Sequence, residues 1–140
     1  MYLTYDEYQD YGGTLDETTF NEYAFEAGAQ IDWYTFNRLN GETEVGENVK
    51  RCMYYLIKLI QDATAARAVP TVTGTSSSNV TPGIQSQSND GVSISYMTVS
   101  ASEILHSIEG EIELCIKKYL QGVKNSLGQK VLYRGIYPNE

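Results

Sequence analysis

Histidine and cysteine are scarce in this 140-residue chain. His106 stands alone, and the two cysteines, Cys52 and Cys115, are far apart. No zinc spacing can be made from two cysteines and one histidine. One imidazole is also too few to build a defined Ser-His-Asp or Cys-His arrangement. His106 therefore reads as structural, and the cysteines as reduced core residues. Gly12-Gly13 follows a helical stretch instead of opening one, so it is not a phosphate loop. The pattern contains no catalytic, cofactor-binding or metal-binding constellation, and the expectation is a protein that is not an enzyme.

Long apolar runs are missing too. The longest, residues 53–60, is broken by Lys58 and is far too short to span a bilayer, so no membrane partner is expected. Met1-Tyr-Leu-Thr-Tyr-Asp-Glu7 has neither a basic start nor an apolar core, and no secretory leader is expected. Positive charge is sparse, with a formal net charge of −8 and a pI near 4.6. That balance argues against a surface that tracks nucleic-acid phosphates. Residues 1–37 hold eight acids and no Lys or Arg, whereas residues 114–140 hold Lys117, Lys118, Lys124, Lys130 and Arg134 against Glu140. The separation is either simple solvation or complementarity between subunits packed head to tail.

Between residues 68 and 102 there is one formally charged side chain, Asp90. Asn89-Asp90-Gly91 is strong turn chemistry. Val92, Ile94 and Tyr96 alternate with serines at period 2, so residues 84–97 read as a β-hairpin. Two strands with so few apolar residues do not hold themselves together in water, so the hairpin must lie on its own domain or on another chain. The more polar residues 71–83 read as linker.

The remainder is helical in pattern. Thr4-Tyr-Asp-Glu7 is a capping box that opens a short helix to Tyr11, with Gly12-Gly13 as its stop. Tyr2, Tyr5, Tyr8 and Tyr11 form an aromatic stripe that either packs on its own bundle or meets another subunit. A second box at Thr14–Glu17 opens a helix expected to reach Leu39, with Asn40-Gly41 as its stop. Phe20, Ala24, Ala27, Ile31 and Tyr34 line one of its faces. Phe25, Trp33, Phe36 and Leu39 widen that face, which implies burial on more than one side. A third helix over 46–67 carries Val49, Cys52, Met53, Leu56, Ile60 and Ala63 inward. A fourth, over 100–122, carries Ile104, Leu105, Ile108, Ile112, Cys115, Ile116 and Tyr119. Residues 131–138 are apolar and extended in character, and they either tuck under the bundle or add to a partner's sheet edge. The fold class is thus mainly α and a single domain. Three long helices and a short N-terminal one make a small bundle with its core over about 4–67 and 100–123. A linker and hairpin arm occupy 68–99, and an extended C-terminal tail occupies 124–140.

Several segments together resemble a known family. Tyr2-Leu-Thr-Tyr-Asp-Glu-Tyr8, Gly12-Gly-Thr-Leu-Asp-Glu-Thr-Thr-Phe20 and Ile31-Asp-Trp-Tyr-Thr-Phe-Asn-Arg-Leu39 resemble the opening of head–tail connector (adaptor, or head completion) proteins of long-tailed double-stranded DNA phages. Ser88-Asn-Asp-Gly-Val-Ser-Ile-Ser-Tyr96 and Leu132-Tyr-Arg-Gly135 are similar to later signatures of the same family. The resemblance implies a structural virion protein of the neck, made in the host cytoplasm, that forms a twelve-fold ring below the portal. The ring extends the DNA channel and joins the capsid to the stopper or tail-completion protein, while genomic DNA passes through the lumen without sequence-specific binding. It further implies portal contact through Val131, Leu132, Tyr133, Arg134, Ile136 and Tyr137. The hairpin, through Ile84, Asn89, Asp90, Gly91, Val92, Ile94 and Tyr96, would act between neighbouring subunits, towards the channel or towards the next ring. Overall acidity suits a lumen that repels phosphates. The alternative is a small monomeric helical module that holds one protein partner through its tyrosine stripe and C-terminal strand.

Overall fold

The computed structural model describes residues 1–68, 86–89, 92–95 and 101–138. Four helices make up a mainly α bundle: α1 (Tyr5–Asp10), α2 (Glu17–Thr35), α3 (Glu47–Ala68) and α4 (Ala101–Leu120).

Local chemistry sets the helix ends. The Thr4 hydroxyl accepts from the Glu7 amide at 3.3 Å and the Glu7 carboxylate accepts from the Thr4 amide at 3.0 Å, completing the expected box. Glu7 also pairs with Lys50 of α3. That bond, followed by the Thr4 amide, holds the Glu7 carboxyl below its ordinary range. After α1 the chain turns through Gly12 at φ +91°, a left-handed conformation that glycine adopts without strain. At Gly13 a Cβ would collide with the buried Tyr8 ring, so the turn can close against that ring only with glycine there.

Helix α2 starts later and stops earlier than its pattern suggests. Asp16, and not Thr14, is the cap, because its carboxylate takes both the Thr19 amide at 3.1 Å and the Thr19 hydroxyl at 2.8 Å. At the other end Phe36 and Asn37 both turn left-handed, with φ 55° and 58°. The Asn37 amide closes onto the Asp32 carbonyl at 2.9 Å. Stopping here turns Arg38 and Leu39 inward, and both are buried.

Helices α3 and α4 are antiparallel neighbours, with Tyr55 stacked on Tyr119 at 5.6 Å between ring centroids. Cys52 and Cys115 are both free, and they meet across the same seam. Their hydrogen bond, together with burial, pushes the Cys52 thiol upward. All six expected inward residues of α3 are buried, and Ile57 joins them. The core runs through Leu3, Phe20, Ile31, Val49, Met53, Leu56, Ile116 and Leu120. The tyrosine stripe belongs to it: Tyr8 lies 4.9 Å from Phe20 and 5.7 Å from Tyr54, and Tyr5 donates to the Leu15 carbonyl at 3.0 Å. Helix α4 is covered unevenly, since Ile108, Ile116 and Leu120 are buried whereas Ile104 is exposed.

The tail is not extended. Past α4 the chain makes a tight loop closed by an antiparallel bridge between Lys124 and Lys130. Two Asn125–Gln129 side-chain bonds at 2.8 Å and Gly128 at φ +76° set its curvature. Glu42 accepts from the Ser126 amide at 2.9 Å and its hydroxyl at 2.8 Å, pinning the loop to the α2–α3 turn. The amide bond, then the hydroxyl, lowers the Glu42 pKa. Of the arm, β1 (Ser86–Asn89) pairs antiparallel with β2 (Val92–Ser95), with Asn89 opposite Val92. Residues 90–91, where the sequence leads one to expect the turn, and residues 69–85 and 96–100 lie outside the described residues.

Candidate functional site

Arg38 organises the last part of the chain. It is the first basic residue in the sequence and is almost fully buried at the end of α2. One guanidinium nitrogen donates to the carbonyls of Tyr133 and, at 3.5 Å, Lys130; the other donates to Gly135 at 2.7 Å. The rings of Phe36 and Tyr137 lie 5.2 and 5.0 Å from its centre. A buried guanidinium is costly unless its donors are occupied. Here three carbonyls and two π faces occupy it, and the tail is thereby held in one path across the bundle.

That path sorts the six expected portal-contact residues. Val131 is a core residue, and Leu132 packs against the core from its edge. Tyr137 is half-buried, its ring on Arg38 and its hydroxyl accepting from the Lys130 amide at 2.8 Å. Tyr133, Arg134 and Ile136 face outward, and Ile136 is 86% exposed. Tyr133, three residues earlier on the same clamped segment, is 51% exposed. Compared with protein-family models, with curated proteins and with solved structures, the chain matches none.

Of the seven expected arm contacts, Ile84, Asp90, Gly91 and Tyr96 lie outside the described residues. Asn89 and Val92 are register partners, and Ile94 pairs with Gln87.

Beside the tail lies a groove of about 850 Å³ between the end of α2, α4 and residues 132–134. Trp33, Phe36 and Leu132 give it apolar walls, and Asp32, Lys117 and Arg134 give it charge of both signs. Lys117 pairs with Glu113 at 2.6 Å. This bond, with a further contribution from Arg134, lowers the Glu113 pKa. The burial expected around α2 is not found: Phe25 is 80% and Trp33 79% exposed, with Phe36 also largely outside. Only Leu39 of the four widening residues is buried. On the floor nearby, Tyr2 donates to Asp32, and burial, followed by that bond, pushes the Tyr2 phenol upward.

His106 is solvent-exposed on α4, 3.2 Å from Glu109, and not part of a packed interior. Among the described residues, no group of three or more His, Cys, Asp or Glu is placed to hold a metal ion, and no helix is long and apolar enough to cross a membrane.

Sequence reasoning missed Arg38 as an organiser. The available signal was a single arginine ending a 37-residue stretch with no other Lys or Arg, inside an apolar pattern. Its carbonyl partners are 92 to 97 positions away, beyond the reach of any local rule.

Proposed function

We propose that the chain is a structural connector of a phage neck: a ring-forming adaptor that docks on a portal and joins it to the stopper or tail. One observation supports this reading most strongly. Arg38 fixes the C-terminal segment against the bundle so that Ile136 and Tyr133 project from it, a pre-organised apolar epitope on a small helical body. The segment is the one whose family resemblance implies portal contact. Within the ring, the arm at 84–97 contacts neighbouring subunits, and the lumen is acidic or neutral so that DNA passes freely. Of the tyrosine stripe, Tyr2 and Tyr8 are buried and Tyr5 and Tyr11 pack against the core, which leaves less of it for a monomeric binding module to use.

The test is co-sedimentation with purified portal assemblies. The wild-type chain is expected to pellet with the portal, and Ile136→Asp to remain in the supernatant with an unchanged helical spectrum. Equal pelleting of Ile136→Asp would remove the tail from the docking surface, and failure of the wild-type chain at every salt concentration would favour the monomeric module.

A further inference from the structure

Phe25, Ala29 and Trp33 fall at i, i+4 and i+8 on α2, so they form an outward ridge that winds by about 80° around the helix. Both aromatics are almost bare and the residue between them is small. The groove lined by Ala29, Trp33, Phe36, Leu132, Lys117 and Arg134 opens beside this ridge. Glu22 and Glu26, both exposed, flank Phe25. One helix face therefore carries an apolar knob flanked by acid at its N-terminal end and, at its C-terminal end, an apolar groove where two bases, Lys117 and Arg134, outnumber one acid, Asp32, which is already held by Tyr2.

We infer that this face is the docking site for a second copy of the chain, with the two α2 helices antiparallel across a two-fold axis at Ala29. Residues 25 and 33 are about 12 Å apart along a helix axis, with position 29 midway. Reversing one copy about that midpoint places each Phe25 against the other copy's Trp33 and groove. Ala29 meets Ala29 where the axes cross, and a side chain of that size allows an approach of about 8 Å. Glu22 and Glu26 of each copy then face Lys117 and Arg134 of the other. Lys117 already has Glu113 as a partner, so Arg134 carries most of the new attraction. Knob and groove sit too close together on one helix for two different neighbours to use them, which favours an isologous pair over a head-to-tail array. The pairing is argued from α2 and its groove, without the portal reading. The two meet at Leu132 and Arg134, where the pair must open before the tail docks.

The test combines sedimentation equilibrium with cross-linking. The wild-type chain is expected to dimerise with a Kd on the order of 1–100 μM, as for a modest interface. Trp33→Asp and Ala29→Arg should each sediment as monomers with unchanged helical content. Glu26→Lys should weaken the dimer roughly ten-fold, since symmetry applies the reversed charge twice, and adding Arg134→Glu should restore it. Ala29→Cys, oxidised with copper phenanthroline, should give a disulfide-linked species of twice the chain mass, with the wild-type chain as background for Cys52 and Cys115. A wild-type monomer throughout that range, or unchanged mass for both Trp33→Asp and Ala29→Arg, would overturn the inference. So would a larger assembly in which Ala29→Cys does not cross-link, which would indicate a head-to-tail array.

Discussion

A lysine at position 38 would keep the charge of Arg38 but lose its shape. The guanidinium is a rigid fork that meets several carbonyls in one plane while its faces lie against Phe36 and Tyr137; an ammonium is a point donor on a flexible stem. Arg38→Lys is therefore expected to lower stability by about 1–3 kcal/mol, the scale of hydrogen bonds to a charged group. Hydrogen exchange should locate the loss: amides over 131–137 should exchange at least ten-fold faster while those of α3 keep their protection. Unchanged exchange in the tail would mean that something other than Arg38 holds it. At this scale the short-range chemistry was legible and the long-range chemistry was not. The Thr4–Glu7 box follows from spacing alone. Asp16 displaced Thr14 as a cap because a carboxylate offers two acceptors to Thr19, a competition that a motif does not rank.

Among the elements, α3 reads directly from sequence because one apolar stripe meets one core, and every expected inward position is buried. Helix α2 was harder. Its apolar residues cover most of the circumference, and periodicity cannot distinguish a face covered by the same chain from one left for another. The tail was legible as apolar but not as folded, since its loop depends on Asn125–Gln129 pairing and on Glu42, which lies 84 residues away. The position of a truncation therefore matters. A chain ending at Lys130 loses Val131, and the core should lose about 2 kcal/mol or more. A chain ending at Leu132 keeps that residue and should retain its helical signal, while losing the outward-facing epitope. Thermal melts of the two truncations check this. Equal midpoints would show that Val131 contributes nothing to the bundle.

For the whole molecule, acids of the first helices (Asp6, Asp10, Glu22 and Glu26) and bases of α4 and the tail (Lys117, Lys118, Lys124, Lys130 and Arg134) are all exposed. Exposed charges of both signs orient neighbours and speed their encounter more than they add affinity. Phe25 and Trp33 on α2 and Ile136 on the tail add exposed apolar side chains beside these charges. We propose that this surface serves assembly on a viral vertex. Electron microscopy of purified portal rings mixed with excess chain tests it most directly. The expected result is a second ring of density stacked coaxially on the portal, with an open lumen of acidic or neutral lining. Portal rings that remain bare at every chain concentration and salt condition would contradict it.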